Sequence, residues 1–135
     1  TSALLGTGEP AEEWEQGMIE VAQKLDGRFA SYRQLLEMSR KFAERLIKEA
    51  KTDQARLDHL FTLITCRPPT DGERQACKWL LEHMRTRYAA SKDDALALLA
   101  TGDSPRDETL DPAQVAAWTQ VAATVLASDV AILLY

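Results

Sequence analysis

Apolar positions along this chain recur every three or four residues and almost never alternate, so the pattern predicts helix nearly throughout. A first helix opens at Gly8-Glu9-Pro10, where proline forfeits no hydrogen bond and Glu12, Glu13 and Glu15 face the positive end of the dipole. Trp14, Met18, Val21 and Ala22 make its apolar stripe, and Gly27 suits its stop. A second helix is predicted from Ser31 to Lys51. Its inward face carries Tyr32, Leu35, Leu36, Ala43, Leu46, Ile47 and Ala50, with Phe42 at the edge. Elsewhere on this helix Arg40, Lys41, Arg45, Lys48 and Lys51 alternate with Glu37, Glu44 and Glu49. Glu37–Lys41 and Glu44–Lys48 stand four apart in the favourable order, so these residues read as a solvated, salt-laced face rather than a basic binding stripe.

Thr52-Asp53 is a cap signal for a third helix with Leu57, Leu60, Phe61 and Ile64 inward. That helix stops at Cys66-Arg67-Pro68-Pro69, because proline cannot continue it and Pro68 disfavours helical geometry at Arg67. Thr70 with Glu73 three residues on is a capping box that starts the fourth helix, Asp71 to Ala90. The short turn predicts a helical hairpin, with the Phe61/Ile64 face against the Leu80/Met84 face. Cys77, Leu80, Leu81, Met84 and Tyr88 share one side of the fourth helix. Trp79 and His83 lie on another, where Trp79 either packs on a further helix or meets a partner.

Asp93 and Asp94 open a short helix, Ala95 to Ala100, closed by Gly102. The polar loop after it carries several carboxylates but lacks the alternation and central glycine of a calcium loop. Asp111-Pro112 starts a last long helix, with Val115, Trp118, Ala122, Val125 and Leu126 as its buried stripe. Ser128-Asp129 is expected to interrupt it. The apolar tail Val130 to Tyr135 is then expected to dock as a new helical turn or a short strand. The fold expected is all-α: one compact domain over residues 1–135, a bundle of five or six helices with a central helical hairpin.

Composition narrows the partners. A net charge of −5 disfavours binding to phosphate backbones, so nucleic acid is not expected. No apolar run reaches the roughly 20 residues that span a bilayer. The sequence begins at Thr1 without a charged-then-apolar leader, so any signal peptide is expected to have been removed or to lie outside it.

Candidate chemistry is sparse. His59, Cys66, Cys77 and His83 are the residues from which a metal or nucleophile site would be built, and the cysteines fit neither CxxC nor haem-attachment spacing. The hairpin offset is expected to hold Cys66 and Cys77 apart as buried free thiols. A GxSxG elbow is missing, and the glycines of Leu4 to Glu9 lack the Lys-Ser/Thr of a phosphate loop. The reading is therefore no catalytic residue, no metal and no cofactor.

One resemblance adds to this picture. Arg67-Pro68-Pro69-Thr70 with Glu73, preceded by R-L-D-H-L-F-T-L-I-T (Arg56 to Thr65), resembles the C-terminal part of a planctomycete-associated, PSD-type, cytochrome-c-linked domain family of unknown function. R-K-F-A-E-R-L (Arg40 to Leu46) and Ala117-Trp118-Thr119-Gln120-Val121-Ala122, with Val125-Leu126, are similar to further segments of that family in the same order. Where its members usually close on an Asn-x-x-Glu-Phe-like segment, this chain has Ser128-Asp129-Val130-Ala131. The resemblance implies an extracytoplasmic setting and a neighbouring cytochrome-c-like module. It implies no reaction.

The function expected is a non-catalytic helical interaction or scaffold module, a piece of a larger exported assembly. Its partner is a protein or a second copy, met through Trp79, Arg67, Leu134 and Tyr135. The alternative is an enzyme or small-ligand binder with a site near Arg67, Asp71 and His59.

Overall fold

A computed structural model describes residues 32–134, with side chains through Ser128. Five α-helices follow one another: α1 (Tyr32–Glu49), α2 (Asp53–Thr65), α3 (Asp71–Ala90), α4 (Lys92–Leu99) and α5 (Pro112–Leu134). The described residues contain no strand, and the all-α bundle is as expected. The first helix predicted from sequence, around residues 10–27, lies outside the described residues, as does Tyr135.

Local signals set most boundaries. The Thr52 hydroxyl accepts from Ala55 N at 3.1 Å to start α2. Thr70 starts α3 with the full capping box: its hydroxyl accepts from Glu73 N at 3.2 Å while Glu73 accepts from Thr70 N at 2.8 Å. Ser91 caps α4, which begins earlier than Asp93-Asp94 suggested because the Ser91 hydroxyl takes the Asp94 N–H. Asp111 accepts from Gln114 N at 3.3 Å, and Pro112 follows as the first helical residue of α5.

α5 is the centre of the bundle. Every residue from Val115 to Ala127 is buried, so the helix is enclosed around its whole circumference and the other four helices pack against it. The predicted stripe of Val115, Trp118, Ala122, Val125 and Leu126 is thus only part of what it buries. The predicted interruption is also absent: Ser128-Asp129 lies within a helix that runs unbroken to Leu134, which removes the strand alternative for the tail. One Ser-Asp pair does not stop a helix that keeps its backbone hydrogen bonds, since each residue costs only a few tenths of a kcal/mol or so in propensity.

The turn between α2 and α3 forms where the prolines stand. The two helices nevertheless lean on other elements more than on each other: α2 on α1 and α5, α3 on α5 and α4. Phe61, Leu80 and Met84 are buried and Ile64 is half-buried, all in one core that α5 divides. Arg74 bridges the hairpin to Asp58 at 2.7 Å. Arg85 ties α3 to the starts of α2 and α5, donating to both Asp53 oxygens (2.7 and 2.8 Å) and to Gln114 Oε1 (3.1 and 3.0 Å).

Candidate functional site

The polar side of α1 is the largest departure from the sequence reading. Arg40 is 1% exposed, not solvated. Its guanidinium donates to Ser104 O at 2.6 Å, Pro105 O at 3.1 Å and Glu44 Oε2 at 3.2 Å. Glu44 Oε2 in turn accepts from Asp107 N at 2.7 Å, Glu37 accepts from Ser104 N, and Lys48 pairs with Asp107. Glu37, Arg40, Glu44 and Lys48 recur at helical spacing along one line of α1 and clasp the loop between α4 and α5. The expected Glu37–Lys41 and Glu44–Lys48 pairs do not form, because both glutamates and Lys48 are drawn to this loop. Arg40–Glu44 and Arg45–Glu49 form instead. The Ser104 N–H holds the Glu37 carboxyl below its ordinary range, and Lys48 with Thr109 does the same for Asp107. Gly102 completes the fit: its φ is +99°, and a Cβ there would stand 2.6 Å from the Glu37 side chain. The clasp is structural.

The residues singled out for interaction divide similarly. Arg67 forms a two-pronged pair with Glu73 (2.8 and 2.9 Å), beside the capping box. That guanidinium, helped by the Thr70 N–H, holds the Glu73 carboxyl down to about 2. Trp79 is half-buried against the core and stacks on the exposed His83 at 3.8 Å between ring centroids, while His83 Nδ1 sits 2.8 Å from Trp79 O. Leu134 ends α5; its side chain and Tyr135 lie outside the description.

The residues named for an alternative ligand site, Arg67, Asp71 and His59, take different places in the structure. His59 Nε2 pairs with Glu49 Oε1 at 2.7 Å, at the end of α1, and Asp71 is an exposed residue opening α3. Arg67 pairs with Glu73 beyond the end of α2, whose last residue, Thr65, stands six positions and about 9 Å of helical rise past His59. Of the cysteines, Cys77 is buried, and burial pushes its thiol up to about 12. Cys66 is exposed, contrary to expectation, because it is the residue that turns the chain out of α2 in left-handed geometry (φ 61°, ψ 21°). Both are free. Among the described residues no cluster of three or more His, Cys, Asp or Glu is placed to hold a metal ion, and no helix is long and apolar enough to cross a membrane.

What the sequence reading missed lies on the outer side of α1, away from the clasp. Met38, Lys41, Phe42 and Arg45 line an open groove of about 170 Å³. Met38 is the one large apolar side chain left exposed among the described residues, at 43%. Phe42 is half-buried at its foot, and Lys41 is an exposed cation beside it. Met38–Phe42 and Lys41–Arg45 are each one helical turn apart, so the groove has an apolar row next to a basic row. Phe42 at the edge of the inward face was the available signal; Met38 one turn before it extends that edge outward.

Comparison with protein-family models, with curated proteins and with solved structures finds no match.

Proposed function

We propose that this chain is a non-catalytic helical interaction or scaffold module, a piece of a larger exported assembly, and that it docks through the outer face of α1. The observation that supports this most directly is the groove of Met38 and Phe42 bordered by Lys41 and Arg45. An apolar row at i and i+4 suits an amphipathic helix laid along it, and a flexible methionine adapts to the side chains it meets. The adjoining cations select a helix with carboxylates on its flank. On a chain of net charge −5, an acidic partner is repelled by most of the surface and drawn to this strip, which orients the encounter. The resemblance to the planctomycete-associated, cytochrome-c-linked family supports the exported setting and a cytochrome-c-like neighbour.

The test is capture of partners from the native extract by the full chain and by its Met38→Asp variant, followed by rebuilding the complex from purified components. Loss of more than about tenfold in affinity is expected for Met38→Asp, because a carboxylate replaces the exposed apolar side chain that lines the groove. Undiminished binding by a helical Met38→Asp protein overturns this docking face.

A further inference from the structure

The basic row beside the groove does not end in a base. Lys41, Arg45 and Glu49 stand one helical turn apart on α1, so a row of carboxylates laid along them meets two cations and then an anion. Glu49 is also a shared carboxylate. Arg45 Nε donates to both of its oxygens, at 3.1 and 2.9 Å, and His59 Nε2 of α2 reaches Oε1 at 2.7 Å. A carboxylate only accepts, so Nε2 carries a proton in either state of the ring. Nδ1 has no hydrogen-bond partner among the described residues, and a second proton adds there. Arg45 and Glu49 are exposed and His59 is half-buried, within reach of solvent protons. His59 and Arg45 together hold the Glu49 carboxyl below its ordinary range.

Other charges around the ring are committed elsewhere. On α1, Lys48 is drawn to Asp107. On α2, Arg56 donates to Ala50 O at 3.0 Å, and Asp58 accepts from Arg74 of α3 at 2.7 Å. α5, the other helix on which α2 leans, has no ionisable side chain from Pro112 to Ala127. Protonation of the ring therefore bears on Glu49 and, through it, on Arg45. With His59 neutral, Glu49 cancels the charge of Arg45. With His59 charged, the three side chains carry a net positive charge, the ring neutralises Glu49, and Arg45 is released toward the groove it lines.

We infer that His59, acting through Glu49, is a pH-sensitive gate on the basic row of α1, and that its protonation strengthens the docking of an acidic helix. This rests on reading the groove as the seat of such a helix, and it adds the condition under which docking is tightest.

The probe is a synthetic amphipathic peptide with leucines at one-turn spacing beside a row of glutamates, titrated into the full chain at about pH 8 and about pH 6. In that window glutamates stay ionised while imidazole gains its charge. Binding about threefold tighter at the lower pH is expected, as for an exposed charge cluster. His59→Gln keeps an N–H for Glu49 without the charge and should bind equally at both. Glu49→Gln removes the anion and should show the tighter affinity at both. His83→Gln changes the other histidine of the chain and should keep the full pH dependence. In the chain without peptide, the Arg45 Nε–H resonance should shift with the same midpoint as the His59 ring. Affinity indifferent to pH, a pH dependence that survives His59→Gln, or an Arg45 resonance that ignores the ring each overturn the gate. Its failure is separable from that of the docking face. Peptide binding lost in Met38→Asp but indifferent to pH in the parent keeps the face and removes the gate. An Arg45 resonance that follows the ring, with peptide binding undiminished in Met38→Asp, keeps the relay and removes the face. A peptide bound at neither pH overturns both.

Discussion

At the scale of single residues, the Cys66–Glu73 stretch shows how neighbouring side chains take separate duties. Cys66 turns the chain in left-handed geometry, Thr70 and Glu73 cap α3, and Arg67 fastens onto the capping carboxylate. Cys66 is exposed and Cys77 buried with its thiol raised to about 12, so a thiol reagent at neutral pH should label one cysteine in the native protein. Denaturation without reductant should release the second; rapid native labelling of both, read by intact mass, would contradict the structure. Glu73 gives a pH prediction. Its folded carboxyl titrates near 2 against an ordinary 4.5, so its contribution is complete above about pH 4.5 and is lost as pH falls through 2. Glu73→Gln keeps an acceptor for the Thr70 N–H but loses the charge facing Arg67. It should cost about 1 kcal/mol at pH 7, as for a partly exposed pair, and flatten the acid side of the stability curve. An unchanged acid slope in urea titrations would place the carboxylate's stabilisation elsewhere.

At the scale of elements, what could be read from the sequence follows how local the cause is. The Thr52 and Thr70 caps, the proline stop and the start of α5 at Asp111-Pro112 depend on residues within four positions, and each stands where the sequence placed it. The clasp on the α4–α5 loop depends on partners more than sixty residues away, and Arg40 therefore read as one more solvated cation among glutamates. The groove escaped notice for a related reason. Periodicity marks the face a helix buries, but an apolar row one step outside that face looks like its edge. Arg40 carries the element-scale prediction. Arg40→Ala leaves the Ser104 and Pro105 carbonyls and Glu44 without their common donor in a buried setting, which should cost about 3–5 kcal/mol. Arg40→Lys keeps the charge but cannot reach all three acceptors at once, and should recover only part of that loss. Hydrogen exchange at the Ser104 and Asp107 amides should accelerate in both variants. Protection that survives Arg40→Ala would show that Glu37, Glu44 and Lys48 hold the loop unaided.

At the scale of the whole molecule, α5 explains why the bundle needs a helix with almost no polar face. Thr119 and Thr124 are buried without becoming polar defects, because their hydroxyls donate to Val115 O (2.7 Å) and Gln120 O (2.9 Å) one turn back. Gln120 Nε2 meets the Tyr88 hydroxyl at 2.9 Å, a buried polar link from this helix to α3 alongside the half-buried Arg85–Gln114 contact. Between these, Ala116, Ala117, Ala122, Ala123 and Ala127 are fully enclosed, and small side chains on every side let neighbouring helices approach α5 together. That arrangement yields a paired prediction. Ala123→Leu hardly changes helix propensity, so its effect reports packing, and forcing the extra carbons into a closed core should cost about 1–3 kcal/mol. Thr124→Val nearly conserves volume and removes a hydroxyl whose acceptor, the Gln120 carbonyl, keeps its place in the helix ladder. It should therefore stay within about 1 kcal/mol of the parent, the apolar gain offsetting the lost bond. Urea unfolding midpoints measure both. A neutral Ala123→Leu would mean that one side of α5 is open to rearrangement, and the central helix would then be a face of the bundle rather than its axis.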